Sequence, residues 1–207
     1  MRSECVAARH PDRLGGMLRC VSNADLACDT PIDDGMYFKK SGWSMSEALN
    51  TLRVDGAVDA PQQLSLAILA AVDVRHQVID LSRIDPKRKG DAITLAGLLE
   101  LVRVRPEAKY VGLHAAADDF HASIPLDAVR DRGLLVYRLD GRSLPTKSGG
   151  PFRFFIPDHA ACKTDEIDEC ANVKFVDHIE FTVERGVDNR PHDEAEHQAL
   201  HAKEHHA

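Results

Sequence analysis

A basic, glycine-containing turn in the last third of the chain has residue types that can bind an anion. The segment LPTKSGGP begins at Leu144 and runs directly into the apolar segment FRFFIP. Gly149 and Gly150 can leave backbone N–H groups free, and Lys147 and Arg153 supply positive charge. A phosphate group needs this combination. The same spacing also fits an ordinary hairpin turn with solvated charges.

Two cysteines flank the loop that follows this turn. Cys162 and Cys170 end the segment CKTDEIDEC, and the sequence leaves three roles open for them. The two residues could be structural thiols, a disulfide or redox pair, or part of a metal site with His159. The spacing of the cysteines fits no standard zinc motif, which argues against the metal site. Lys163 would lower the pKa of the Cys162 thiol if both side chains were exposed.

Histidines recur every four residues near the end of the chain. His197, His201 and His205 would share one face of a helix, and such imidazoles chelate zinc, nickel or copper. The alternative is a polar tail with incidental histidines, because the region after Gly186 has almost no large apolar residue.

Composition excludes several classes of protein. The chain has 207 residues and a net charge of -7, with no long basic stripe, which argues against a nucleic-acid surface. No apolar run reaches the roughly 18 residues needed to span a membrane. The first residues are charged and do not resemble a secretory signal, so we expect a cytoplasmic protein with reduced cysteines.

The pattern of apolar residues predicts short strands with few helices, which is typical of an α+β fold. Helices are expected in LSLAILAAV, with Ser65 as a possible cap, in ITLAGLLELVRV after Thr94, and from Leu126 to Gly133. The segment before Leu126 is expected to form a turn. The predicted strands lie in LRVDGAV, HQVIDLSRI, KYVGLHAA, GLLVYRLDG, PFRFFIP and VKFVDHIEFTVE. We expect an irregular extension over residues 1–50, a domain over 51–185, and a His-rich polar tail over 186–207.

The order of these segments resembles the molybdopterin-binding domain of the sulfite oxidase family. The pieces that match are LRVDGAVDAPQQLSL, AITLAGLLELV, KYVGLHAAADDFHASIPLDAV, LLVYRLDGRSLPTKSGGPFRFFIPD and NVKFVDHIEF, over roughly residues 52 to 184. The resemblance implies mixed β-sheets with a few short helices, and a bound molybdopterin with a phosphate tail. The residues that it implies as cofactor contacts are Lys147, Ser148, Gly149, Gly150, Arg153 and Lys174.

Two functional residues of the family have no equivalent here. The cysteine that ligates molybdenum should fall in HQVIDLSRI, where Val78, Ile79 or Asp80 stands instead. An aliphatic side chain cannot replace a thiolate donor. The family's aromatic hydroxyl aligns with Phe120, which has no proton to donate. His121 is adjacent, but strand alternation would direct it to the opposite face, towards solvent.

The sequence therefore supports two kinds of function. The first is a molybdopterin-binding, oxidoreductase-like protein with impaired or altered metal chemistry, in which molybdenum itself is doubtful. The second is a non-catalytic ligand-binding or interaction module on the same fold. A thiol redox protein that uses Cys162 and Cys170 is a third alternative. We expect an anionic small molecule as the ligand, no nucleic-acid or membrane partner, and a monomer, since the resemblance omits the family's dimerisation domain. Neither a substrate nor an electron-transfer partner follows from the sequence.

Overall fold

The computed structural model describes residues 50–191, which fold into two β-sheets and three short α-helices. The predicted histidine site at His197, His201 and His205 lies outside this range, as does nearly all of the predicted extension. The strands are β1 (Thr51–Gly56), β2 (Gln62–Ser65), β3 (Gln77–Val78), β4 (Asp91–Thr94), β5 (Tyr110–Ala115), β6 (Phe120–Pro125), β7 (Leu134–Leu139), β8 (Arg142–Ser143), β9 (Arg153–Phe155) and β10 (His178–Thr182). The helices are α1 (Leu66–Ala70), α2 (Leu95–Val102) and α3 (Leu126–Val129). No helix in this range is long and apolar enough to cross a membrane.

Local capping fixes the start of the first two helices. The side chain of Ser65 accepts a hydrogen bond from the backbone N–H of Ile68, and that of Thr94 accepts one from Gly97. Both hydroxyls satisfy amides that have no partner within the first helical turn. The predictions of α1, α2 and their caps are confirmed, as is the helix that begins at Leu126.

The first sheet has the strand order β2-β1-β10-β5-β6. Strands β1 and β10 are parallel, and the other neighbours are antiparallel. Alternate residues such as Val54, Leu113 and Ile179 are fully buried in the main core. The opposite face is polar, and on it His178, His114 and His121 lie side by side on three adjacent strands. Burial and the two neighbouring imidazoles lower the pKa of His114 to about 4.

The second sheet has the order β3-β4-β7-β8, with β9 paired to the other side of β7, and both of its faces are buried. On β7, Leu135 and Tyr137 point into the main core, whereas Leu134 and Val136 belong to a separate small cluster. Four more residues from the surrounding segments complete this small cluster: Leu81, Ala92, Leu144 and Phe155. The second face is therefore covered by two connecting segments, one around Leu81 and one around Leu144.

Three predicted elements need correction. The strand expected in HQVIDLSRI is only Gln77–Val78, because Asp80 has a positive φ of 62° and caps a 3-10 helix at Leu81–Arg83. The segment predicted to be a turn forms strand β6. Its alternation is weak in sequence, because the buried apolar residues are Ala122 and Ile124 and the polar Ser123 between them is buried as well. The last strand begins at His178, so Lys174 lies in the loop before it.

The segment from Gly186 to Arg190 packs against the edge of the first sheet. The backbone of Asn189 donates to the carbonyl of His121, and its side chain accepts from the N–H of the same residue. The side chain of Arg190 is only 5% exposed and forms an ion pair with Asp188, which is 7% exposed. The boundary at residue 185 stays a prediction, but these residues make specific contacts with the domain.

Breaking the Asp188–Arg190 pair should destabilise the fold. Burial by itself raises the pKa of Asp188, but hydrogen bonds from Arg190 and Arg185 outweigh it and hold the pKa well below its usual range. We expect Asp188→Asn to lower the free energy of unfolding by about 3 kcal/mol at pH 7, because it removes the nearest carboxylate of a buried guanidinium, which keeps only the Glu166 carbonyl and the more distant Asp168. Urea denaturation measures this change.

The same pair gives a pH dependence. A folded pKa below the unfolded value of about 3.9 means that ionised Asp188 stabilises the fold above that pH, and that this stabilisation is lost as the pH falls further. The difference between wild type and Asp188→Asn should therefore shrink below about pH 4. Asp127→Asn is the control, because that side chain is 91% exposed. If Asp188→Asn and Asp127→Asn lowered the free energy of unfolding by the same amount, the stabilising role of the Asp188–Arg190 pair would be contradicted.

Candidate anion-binding site

A cavity of about 250 Å³ lies on the second face of the second sheet. Its apolar lining comes from the small cluster, because β7 and β9 present alternate side chains to this face. The apolar residues that line it are Leu81, Val136, Leu139, Leu144 and Phe155. The cavity therefore exists because two connecting segments cover the sheet without filling the space between them.

The polar residues of the cavity are almost all cations. Arg153 begins β9, and Ser148 lies in the bend that follows Leu144. The loop before β4 supplies Lys87, Arg88 and Lys89. No acidic residue of the described range lines the cavity. Four positive side chains thus surround a small apolar space.

The two arginines have buried nitrogens without hydrogen-bond partners. Within residues 50–191, this is true of the Nε atoms of both Arg88 and Arg153. Arg88 lies over the Phe155 ring, 5.4 Å from its centroid, and its Nε is 3.6 Å from Asp85, too far for a good hydrogen bond. An unmade bond at a buried charged donor is costly, so both arginines can gain from an anion bound beside them.

Burial lowers the pKa of Arg153 to about 10, and the positive charge of Arg88 adds to this effect. Asp85 opposes the shift but does not cancel it. Arg153 remains charged at neutral pH, and its charge is poorly compensated by the described residues. Such a site favours a ligand with two or more negative charges.

The glycine turn does not offer the free amides that the sequence predicted. The N–H of Gly149 donates to Thr146 at 2.8 Å, and the N–H of Gly150 donates to Pro145 at 3.1 Å. Gly149 adopts a φ of 86°, and a side chain at Gly150 would clash with the carbonyl of Leu144. The glycines therefore permit the tight bend, and the charge of the site comes from side chains.

The six predicted contacts separate into three groups. Ser148 and Arg153 line the cavity, and Gly149 and Gly150 form the bend beside it. Lys147 and Lys174 are exposed and are not part of the lining; the stem of Lys174 packs beside Gly149. A contact between these lysines and a ligand stays a prediction.

Sequence reasoning missed the contribution of the loop before β4. The run PKRKG was visible as a basic loop, but nothing in the sequence places it beside Arg153. Three consecutive cations were the available signal. The packing of Leu81 onto the second sheet is what turns this loop towards the cavity.

The segment HQVIDLSRI, where the resemblance places a metal-ligating cysteine, contributes Leu81 to the cavity. Val78, Ile79 and Asp80, the three candidate positions, are not among the lining residues. Asp80 is exposed, and its carboxylate accepts hydrogen bonds from Ser82. No thiol of the described range lines the cavity.

The two described cysteines are free thiols, so the disulfide, one of the alternatives that the sequence left open, is not formed in the structure. Cys162 is buried, so the exposure required for an effect of Lys163 is not met, and burial raises the pKa of the Cys162 thiol. Burial, with Asp168 next in importance, also raises the pKa of Cys170. Neither cysteine belongs to a group of three metal-ligating side chains within residues 50–191, and His159 bonds to Asn172 instead. Both thiols fit structural roles.

Phe120 and His121 point to opposite faces of β6, as alternation predicts. Phe120 packs against the main core. The side chain of His121 is 26% exposed and makes a hydrogen bond with His114, so it is more enclosed than the solvent-facing residue expected.

Replacing Arg153 should stabilise the unliganded protein. Its depressed pKa means that the fold disfavours the charged form, so we expect Arg153→Met to raise the free energy of unfolding by about 1 kcal/mol, after allowance for partial exposure. Urea denaturation with Arg105→Met as control measures this, because Arg105 is exposed and remote from the cavity lining. A loss of stability in Arg153→Met alone would show that the charge is already compensated.

Comparison with known proteins agrees with this architecture. Residues 91–188 match the family model of the oxidoreductase molybdopterin binding domain. The crystal structure of the sulfane dehydrogenase SoxCD from Paracoccus pantotrophus is similar to the chain, with a TM-score of 0.50 and 18% sequence identity. The similarity covers 69% of this chain and 40% of that chain, so the present protein matches less than half of the solved one. No curated protein matches the sequence.

At this identity the solved structure shows the fold alone, and it confirms the predicted fold class of mixed sheets with few short helices. The match over residues 91–188 includes β4 to β10 and most of the cavity lining. Residues 91–188, a little under half of the chain, therefore resemble the oxidoreductase molybdopterin binding domain, in agreement with the resemblance of the sequence.

Proposed function

We propose that the protein binds the phosphate-bearing end of a molybdopterin-type cofactor, or a closely similar organic anion, in the cation-lined cavity. The observation that supports this most strongly is the pair of buried Nε atoms of Arg88 and Arg153. Both guanidinium groups offer donors to an anion, with Ser148, Lys87 and Lys89 around them. Arginine forks and lysine charges are the usual partners of phosphate.

The size of the cavity limits how much of the ligand it encloses. Its volume of about 250 Å³ is below the roughly 300–1,000 Å³ of pockets that enclose a whole organic ligand. The anionic end would therefore occupy the cavity, and the remainder of the ligand would lie outside it. The exposed lysines Lys147 and Lys174 are proposed to contact that outer part.

The described residues fit the phosphate but not the metal. Molybdenum in this family takes a protein thiolate, and the cavity offers Leu81 in the corresponding segment. When bound with its metal, the cofactor would supply oxygen-atom or electron transfer. The side chains here can hold and orient an anion, and we propose that metal chemistry is impaired.

A non-catalytic ligand-binding role follows most directly from these contacts. The thiol redox alternative has less support, because the raised pKa of Cys162 and Cys170 reduces the fraction of reactive thiolate. Cytoplasmic residence and a monomeric state stay predictions of the sequence.

The proposal is tested by analysing protein purified from a host supplied with molybdenum. We expect oxidation of the purified protein to release a fluorescent pterin, with molybdenum far below one atom per chain. Stoichiometric molybdenum would contradict the impaired chemistry. Absence of any pterin would leave only the wider class of organic anions, which phosphate analysis of the same sample addresses.

Arg153→Ala should reduce the amount of co-purified pterin. A charge-assisted hydrogen bond contributes about 1.5–3 kcal/mol, which corresponds to a roughly 10- to 100-fold weaker affinity. Arg105→Ala is the matched control, since it removes the same charge from an exposed site that does not line the cavity. Equal pterin content in the two variants would remove Arg153 from the site.

A further inference from the structure

The outer face of the first sheet carries a row of three histidines that the proposed function does not use. Residue pairing places His178 opposite His114 and His114 opposite His121. The His114 ring stacks on His178 at 4.8 Å between centroids, and it lies 5.1 Å from the His121 ring. His178 is already occupied, since its Nε2 lies 2.7 Å from a carboxylate oxygen of Asp55. The rings of His114 and His121 form a hydrogen bond with each other instead.

The Nδ1 atoms of His114 and His121 point towards one another and are 2.9 Å apart. The opposite nitrogen of each ring faces a carboxylate: Nε2 of His121 is 3.5 Å from Asp119, and Nε2 of His114 is 3.7 Å from Glu180. Both separations are longer than a hydrogen bond. In metal sites, a ligating imidazole commonly donates its second N–H to a carboxylate, and the two carboxylates lie close enough to take that role after a small movement of their side chains.

We propose that His114 and His121 form a chelating site for a divalent first-row transition metal, bound through the two Nδ1 atoms. Two nitrogens that each lie about 2.05 Å from one ion are about 2.9 Å apart at a right angle and about 3.3 Å apart at the tetrahedral angle. The observed separation is that of a hydrogen bond, and it is also the separation that the right angle of tetragonal copper(II) or nickel(II) requires. The two rings therefore need to turn so that both Nδ1 lone pairs meet at the ion, but the two nitrogens do not need to move apart. Copper(II) binds such nitrogen donors most tightly of the divalent series.

The hydrogen bonds of His114 and His121 in the absence of a metal agree with the proposed metal site. One ring must donate its Nδ1–H to the other, and the buried Nε2 of His114 has no hydrogen-bond partner among the described residues. On metal binding, the proton of the donating ring moves from Nδ1 to Nε2, and no net proton is released. If that ring is His114, its Nε2–H then faces Glu180. Metal binding therefore gives a donor role to a nitrogen that is otherwise unused.

The site is open. Within residues 50–191 there is no group of three histidine, cysteine or carboxylate side chains that could enclose an ion. Two imidazoles would hold the metal, and water would fill the remaining positions. We therefore expect an exchangeable ion and not a permanently bound one.

The test uses the full-length chain with copper(II), in a background in which the tail histidines are replaced by alanine so that they do not compete. These residues are His192, His197, His201, His205 and His206. Calorimetry should show one copper(II) per chain, and the electron paramagnetic resonance spectrum should show coupling to two imidazole nitrogens. Adding His121→Ala should weaken binding at least about tenfold. His159→Ala is the control, because its ring bonds to Asn172 away from the row.

Thermal unfolding with and without copper(II) reports both folding and binding. The metal should raise the melting temperature of the background and of His159→Ala, but not that of His121→Ala. Equal copper(II) affinity in the two single variants would overturn the proposal. If His121→Ala does not fold, the spectrum of the folded background still decides, since absence of two-nitrogen coupling would exclude the site.

Discussion

The burial of both faces of the second sheet is the constraint on which the candidate site depends. Strand β7 sends Leu135 and Tyr137 into the main core and Leu134 and Val136 to the other side. A strand that is apolar on both faces must be covered on both, because exposed apolar area is unfavourable. The covering segments around Leu81 and Leu144 satisfy this requirement, and their ends carry the charged residues of the cavity.

This arrangement encloses positive charge beside apolar surface. Arg153 begins a strand whose next residues, Phe154 and Phe155, are both buried, so its position is fixed by packing and not by a partner carboxylate. If the proposed function is correct, this charge is available to a ligand at a cost to stability, which is a common compromise at binding sites. The glycine bend contributes to the site through its shape. Its amides form hydrogen bonds within the bend, and the bend places Ser148 at the cavity.

The features that could be predicted from the sequence are those that depend on neighbouring residues along the chain. The features that depend on the packing of distant segments could not be predicted. The caps at Ser65 and Thr94 are local hydrogen bonds, so their residue types were sufficient to identify them. The charge of Arg153 was also visible. The position of the Lys87–Lys89 loop was not, because it depends on Leu81 packing against a sheet formed by distant residues. Gly149 and Gly150 were assigned free amides because sequence shows glycine but not where its N–H bonds.

Titration of the full-length protein with inorganic pyrophosphate by calorimetry tests the central claim most directly, since this probe carries the charge of the proposed ligand without its organic part. The account predicts one site per chain, with affinity that falls as salt is raised and is lost when Arg88 and Arg153 are both replaced by methionine. Affinity that the double variant retains in full, or no binding by the wild-type chain at low salt, would contradict the account.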